Sequence, residues 1–138
     1  MSISLPIDPE SVKGFLDPKE GEALYGAALE AGALGPCLEI GSYCGKSTIY
    51  FGAACQKAGS VLFALDHHRG SEENQVGWEH HDSELYDPET GLLNTLPLFR
   101  QTLRRAGLED TVVPLVAPST VAARGWATPL AMVFIDGG

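Results

Sequence analysis

The sequence predicts an α/β domain built on an open parallel sheet, and three observations carry that expectation. Cys37 to Ile40 is a short apolar run that breaks into a glycine-punctuated turn and then a helix-compatible stretch, Lys46 to Ala58. Ser60-Val61-Leu62-Phe63-Ala64-Leu65 reads as a second strand. It ends at Asp66, about 20 residues beyond that turn, where a nucleotide fold places an acid for ribose hydroxyls. Leu130 to Ile135 is a continuous apolar run, the pattern of a central parallel strand buried on both faces. Strand, glycine turn and helix together build a nucleotide pocket. Glycine lets the backbone approach the ligand, and the helix N-terminus presents unpaired N–H groups there.

Length and composition set the bounds. At 138 residues the chain makes at most one domain. Hydrophobic residues at 44% with 20% charged argue against disorder. A net charge of −9 argues against nucleic-acid or anionic-membrane partners. Met1-Ser2-Ile3-Ser4-Leu5-Pro6 lacks the basic and apolar parts of a signal peptide, and no apolar run reaches membrane-spanning length. Cys37, Cys44 and Cys55 are odd in number and form no Cys-x-x-Cys pair. Buried free thiols in a reducing cytoplasm are the expectation.

Taken in order, residues 1–16 predict no element, although Gly14-Phe15-Leu16 suits an apolar lip. Asp17-Pro18-Lys19-Glu20 starts a helix, with Asp17 as N-cap, Pro18 in the first position and Glu20 in the third. That helix runs over 17–32 and lays Leu24, Ala27, Ala28 and Ala31 on the sheet. The helix after the glycine turn directs Ile49, Ala53 and Ala54 towards the sheet and ends at Gly59. His67 to Asn94 is too long for an ordinary βα connection. It holds all four histidines, His67-His68 and His80-His81, with Glu72, Glu73, Trp78, Asp82 and Tyr86, and predicts an ordered lid over 67–94. A histidine–carboxylate metal site is the weaker expectation there, because adjacent histidines match no familiar ligand spacing.

Beyond the loop, Leu96, Phe99, Leu103 and Ala106 share a helical face, while Arg100, Arg104 and Arg105 point outward and Gly107 ends the helix. Thr111-Val112-Val113-Pro114-Leu115-Val116 reads as a strand. Its proline cannot donate to a ladder, which predicts a sheet edge. Ala117-Pro118-Ser119-Thr120 turns into a short helix that Ser119 would cap.

Two nucleotide motifs compete at the glycine turn. Gly45-Lys46-Ser47-Thr48 looks like the end of a P-loop, which requires four residues between its glycines. The first glycine would then stand at Ile40, and Gly41 is one residue too close. Glu39 would also repel a phosphate. A P-loop fails on spacing.

Leu38-Glu39-Ile40-Gly41-Ser42-Tyr43-Cys44-Gly45-Lys46-Ser47, with Asp66, resembles motif I and the ribose acid of class I S-adenosylmethionine-dependent methyltransferases, in their catechol O-methyltransferase-like branch. Phe134-Ile135-Asp136-Gly137-Gly138 is similar to the Asp-Gly-Gly-His segment of the related small bacterial enzymes, cut before its histidine. The resemblance extends from about Glu20 to the last residue. It implies a Rossmann-like parallel sheet of strand order 3-2-1-4, in a single partial domain, 1–138, whose C-terminal strands are missing. It also implies S-adenosylmethionine as cofactor. Gly41 would admit the methionine part, Tyr43 would lie near the sulfonium, and Glu39 and Ser47 would contact the methionyl end. Asp66 would hold the ribose, with Ser119 and Thr120 beside the adenine. Ser42, Gly45 and His67 belong to the same set. Asp136 matches the acid that ligates Mg²⁺ beside the acceptor hydroxyl, which makes it both the catalytic and the metal candidate.

The expected activity is methyl transfer to a hydroxylated small molecule, with a homo-oligomer left open. Two alternatives stand beside it. An NAD(P)-dependent oxidoreductase shares the strand–turn–helix and the ribose acid, but would want Gly-x-Gly-x-x-Gly where this chain has Tyr43 and Lys46. A non-catalytic, cofactor-binding fragment is the other.

Overall fold

The computed structural model of the chain describes residues 3–70 and 83–136. The expectations placed on Glu72, Glu73, Trp78, His80, His81, Asp82, Gly137 and Gly138 lie outside the described residues. Four parallel strands form the sheet: β1 (Cys37–Ile40), β2 (Leu62–Asp66), β5 (Val112–Val116) and β6 (Met132–Ile135), ordered β5-β2-β1-β6. Counted among themselves these strands run 3-2-1-4. What differs in detail is a separate two-stranded hairpin, β3 (Tyr86–Asp87) with β4 (Leu92–Leu93), inside the long 67–94 connection. The proline-bearing β5 lies at a sheet edge, as its missing N–H requires.

Among the described residues four α-helices join the sheet: α1 (Pro18–Gly32), α2 (Lys46–Ala58), α3 (Leu96–Arg105) and the single turn α4 (Ser119–Ala122). Asp17 caps α1 as expected, its carboxylate accepting the Lys19 N–H at 2.8 Å. Ser119 is the first residue of α4 rather than its cap. Pro118 occupies the cap position, and no side chain caps the helix.

Register explains which residues are inside. Met132, Cys37, Leu62 and Val112 align across the sheet, as do Phe134, Glu39 and Ala64. These rows carry apolar side chains into the core that α1, α2 and α3 cover, with Phe51, Phe99 and Ile49 fully buried. Burying each such large side chain is worth roughly 1.5–3 kcal/mol. The alternate row, Val133, Leu38, Phe63 and Val113, points to the other face. There Val113, Val133 and Ile135 are exposed. Leu130 to Ile135 therefore does not form a central strand buried on both faces. β6 ends the sheet in this chain, and only Met132 and Phe134 pack inward.

Helix α1 also departs from its expected placement. It packs chiefly on α2 and to a lesser extent on β1 and β6, and Ala27 is exposed. The outer side of α2 is thus covered as well, so every residue from Ser47 to Cys55 is buried. Gly21 makes the contact: a Cβ there would stand 2.4 Å from the Tyr50 ring. Gly26, in the same helix, has nothing within 4 Å of an added Cβ.

The two glycines should respond oppositely to alanine. Gly26→Ala should raise stability by about 0.5–1 kcal/mol through helix propensity. Gly21→Ala should lower it by about 1–3 kcal/mol through overpacking. Thermal or urea unfolding of both variants decides it, and a stabilised Gly21→Ala would mean that the two helices do not pack this closely.

Candidate cofactor site

A parallel sheet brings the exits of all its strands to one edge, and a cleft lies there. It has a volume of about 290 Å³. The glycine turn after β1 forms one wall and the exit of β2 faces it, while Ala117 and Ser119 beyond β5 and Asp136 beyond β6 add the sides. Leu16 and Phe15 close the rim, the apolar lip expected from sequence. Phe15 stacks on the Tyr43 ring with centroids 6.1 Å apart.

Asp66 ties the two principal walls together. Its Oδ2 accepts the Tyr43 N–H at 2.7 Å, and its Oδ1 accepts the His68 N–H at 2.9 Å. Gly41 turns the chain with φ +93°, a conformation that glycine adopts without strain. Ser42 Oγ is buried on the cleft wall and completes no hydrogen bond, although it lies near enough to Glu39 to favour that group's ionised form. Helix α2 starts at Gly45, which offers no side-chain cap, so its first turn faces the cleft uncapped.

Of the residues expected from sequence, Gly41, Ser42, Tyr43, Ser47, Asp66, His67, Ser119 and Asp136 line this cleft. Glu39, Gly45 and Thr120 do not. Strand alternation turns Glu39 towards α2, where it is wholly buried and accepts from Ser47 Oγ at 2.7 Å and from Thr48 Oγ1. Burial pushes its carboxyl up to about 7, against the lowering effect of the Thr48, Ser47 and Ser42 hydroxyls. Gly45 is required by packing: its φ is +99°, and a Cβ would come within 2.9 Å of Thr102 Cγ2. Thr120 is exposed.

Sequence reasoning missed Glu20 and Thr95, both in the lining. Glu20 sits where a capping-box acid would, which hid its second setting. Desolvation and then the Glu20 charge raise the carboxyl of Asp136. His67 is partly exposed, and its Nδ1 accepts the Arg69 N–H at 3.0 Å. Among the described residues no three His, Cys, Asp or Glu side chains converge as a metal-ligand group.

An open α/β sheet with an acid opposite a glycine turn at its carboxyl edge defines a nucleotide-type cofactor domain. Residues 38–138 match the family model described as a methyltransferase domain, and the chain belongs to that family. Solved structures agree in fold. Cofactor-bound Rv0187 from MTB is 25% identical with a TM-score of 0.59, the match covering 89% of this chain and 45% of that one. An O-methyltransferase from Bacillus cereus, in complex with SAH, gives 21% and 0.60 over 89% and 46%. The O-methyltransferase TomG from Streptomyces achromogenes, involved in tomaymycin synthesis and in complex with SAM, gives 18% and 0.61 over 89% and 45%. The chain thus spans less than half the length of these structures.

The buried acid makes the stability pH-dependent in a defined direction. A carboxyl raised from 4.5 to about 7 on folding contributes stability that is fully present below about pH 4.5 and is lost as pH rises through 7. Glu39→Gln removes this dependence. The difference in melting temperature between the variant and wild type should therefore move in favour of the variant from pH 5 to pH 8. A difference that stays constant over that interval would show that Glu39 is not protonated in the folded chain.

Proposed function

We propose that this domain binds S-adenosylmethionine and serves methyl transfer to a hydroxyl group of a small molecule. The observation that carries the reading is the Asp66 carboxylate, held at the exit of β2 directly across the cleft from the glycine turn. Family membership and the SAH- and SAM-bound neighbours support it. When bound, S-adenosylmethionine supplies a methyl group on a sulfonium centre.

The residues present suit that cofactor. Each oxygen of Asp66 takes one backbone N–H and keeps acceptor capacity for a ribose hydroxyl. Gly41 leaves the turn open to close approach, the Ser42 hydroxyl has its bonding unspent, and the uncapped first turn of α2 suits an α-carboxylate. Ser119, in the cleft lining, would lie beside the adenine. Glu39 acts from beneath, orienting Ser47 instead of touching the ligand. Tyr43 and Phe15 shield the centre from water. A Mg²⁺ ion at Asp136 lacks a donor set among the described residues. Asp136 is instead proposed as proton acceptor for the substrate hydroxyl, a role that its raised pKa favours. The three cysteines are buried and free, which suits a reducing cytoplasm.

Calorimetric titration tests the reading. The chain should bind S-adenosylhomocysteine and should not bind NAD. Hydrogen bonds to a charged group are worth roughly 1.5–3 kcal/mol each, so Asp66→Ala should weaken binding at least about tenfold while the far-ultraviolet circular dichroism stays that of a folded protein. A folded chain that takes NAD and refuses S-adenosylhomocysteine would contradict the assignment. So would a folded Asp66→Ala variant with wild-type affinity.

A further inference from the structure

We propose that helix α3 is the strut that fixes the geometry of the cofactor cleft, with Thr95, Thr102 and His68 as its positioning residues. The proposal takes from the preceding reading what the cleft holds, but the contacts themselves do not depend on it.

Among the described residues two non-glycine positions have positive φ: Tyr43 at 51° and His68 at 62°. These are the two residues whose N–H groups Asp66 accepts. A left-handed conformation is strained for an L-residue, and it persists only where the surroundings over-determine it. Two hydrogen bonds to one carboxylate explain why the pair is joined. They do not explain what holds the pair in place.

Helix α3 supplies that restraint at both ends. At its start, the Thr95 N–H donates to the His68 carbonyl at 2.9 Å, and Thr95 Oγ1 lies 2.7 Å from His68 Nδ1. Thr95 is the N-cap residue, yet its hydroxyl makes no capping bond. A threonine in that position ordinarily stabilises its helix through the cap, so the hydroxyl serves His68 in place of α3. The His68 ring is buried and packs on Phe99 with centroids 5.0 Å apart. Its Nε2 completes no hydrogen bond, and burial lowers the pKa of the ring.

Two turns along α3, Thr102 Oγ1 donates to the Cys44 carbonyl at 2.7 Å, while the Leu98 carbonyl lies 3.0 Å from the same oxygen. Gly45 packs so tightly on Thr102 and Phe99 that no Cβ fits. Thr95, Phe99 and Thr102 fall at i, i+4 and i+7, one face of the helix. A closed circuit results, from Asp66 through Tyr43 and Cys44 to Thr102, along α3 to Thr95, and back through His68. Both walls of the cleft are fastened to one rigid element, so neither can shift without the other.

Amide hydrogen exchange at Tyr43 and His68, read by NMR without any ligand, tests the circuit in Thr95→Val and Thr102→Val. Either substitution should accelerate exchange at both amides by up to about tenfold, the loss expected for one hydrogen bond, including at the amide remote from it. Thr95→Ser and Thr102→Ser, which keep the hydroxyl, should restore protection. Acceleration confined in each variant to the nearer amide would overturn the proposal. If a valine variant does not fold, the wild-type hydroxyl protons decide it. Slowly exchanging Thr95 and Thr102 hydroxyls would support the circuit, and fast exchange would overturn it. S-adenosylhomocysteine affinity, measured alongside, should fall in the valine variants and return in the serine ones. Coupled amides in a wild-type chain that binds no S-adenosylhomocysteine would sink the cofactor reading alone. Uncoupled amides with intact binding would sink the strut alone.

Discussion

Two backbone N–H groups meeting on the Asp66 carboxylate are the interaction on which the remainder of the cleft depends. One belongs to the turn after β1 and the other to the exit of β2, strands that run side by side with Ile40 opposite Leu65. Parallel pairing alone would bring these loops near each other without setting their conformations. The carboxylate joins the two loops through Tyr43 and His68, both of which have left-handed backbone geometry. The same acid is the group proposed to meet the ribose. Structure and binding therefore converge on one side chain.

Beneath the cleft a second acid does different work. Glu39 lies on the helix-covered face of β1, and its position under the start of α2 is electrostatically favourable for a negative group. The Ser47 and Thr48 hydroxyls satisfy it. Burial nevertheless raises its pKa, so the floor of the site holds a carboxyl near its titration point at neutral pH. Only Gly45 precedes α2, which leaves the helix start unblocked on the cleft side.

Much of this was legible in the residues, for identifiable reasons. Asp17-Pro18 and Gly59 mark helix ends through local chemistry, and Pro114 marks a sheet edge through its missing donor. Gly41 and Asp66 announce the cleft because their spacing follows from strand–turn–helix geometry. What escaped depends on contacts remote in sequence. Thr102 reads as an ordinary polar helix residue until its bond to Cys44, 58 positions away, is seen. Thr95 stands at the end of the long connection with no local signal of its own, and Glu20 reads as part of a cap. Glu39 lies outside the cleft lining because pleat direction, not proximity to the glycine turn, decides which face a strand residue serves. The burial expected for Leu130 to Ile135 on both faces needed a layer over the face that carries Val133 and Ile135, which the described residues do not provide.

The most direct test of the account is a map of backbone amide shifts during titration with S-adenosylhomocysteine. The account predicts saturable changes at Gly41 to Tyr43, at Asp66 to His68 and around Ser119 and Asp136, with Tyr43 and His68 moving together. Saturable changes centred instead on the groove lined by Ile3, Leu5, Leu29 and Ala53 would contradict it.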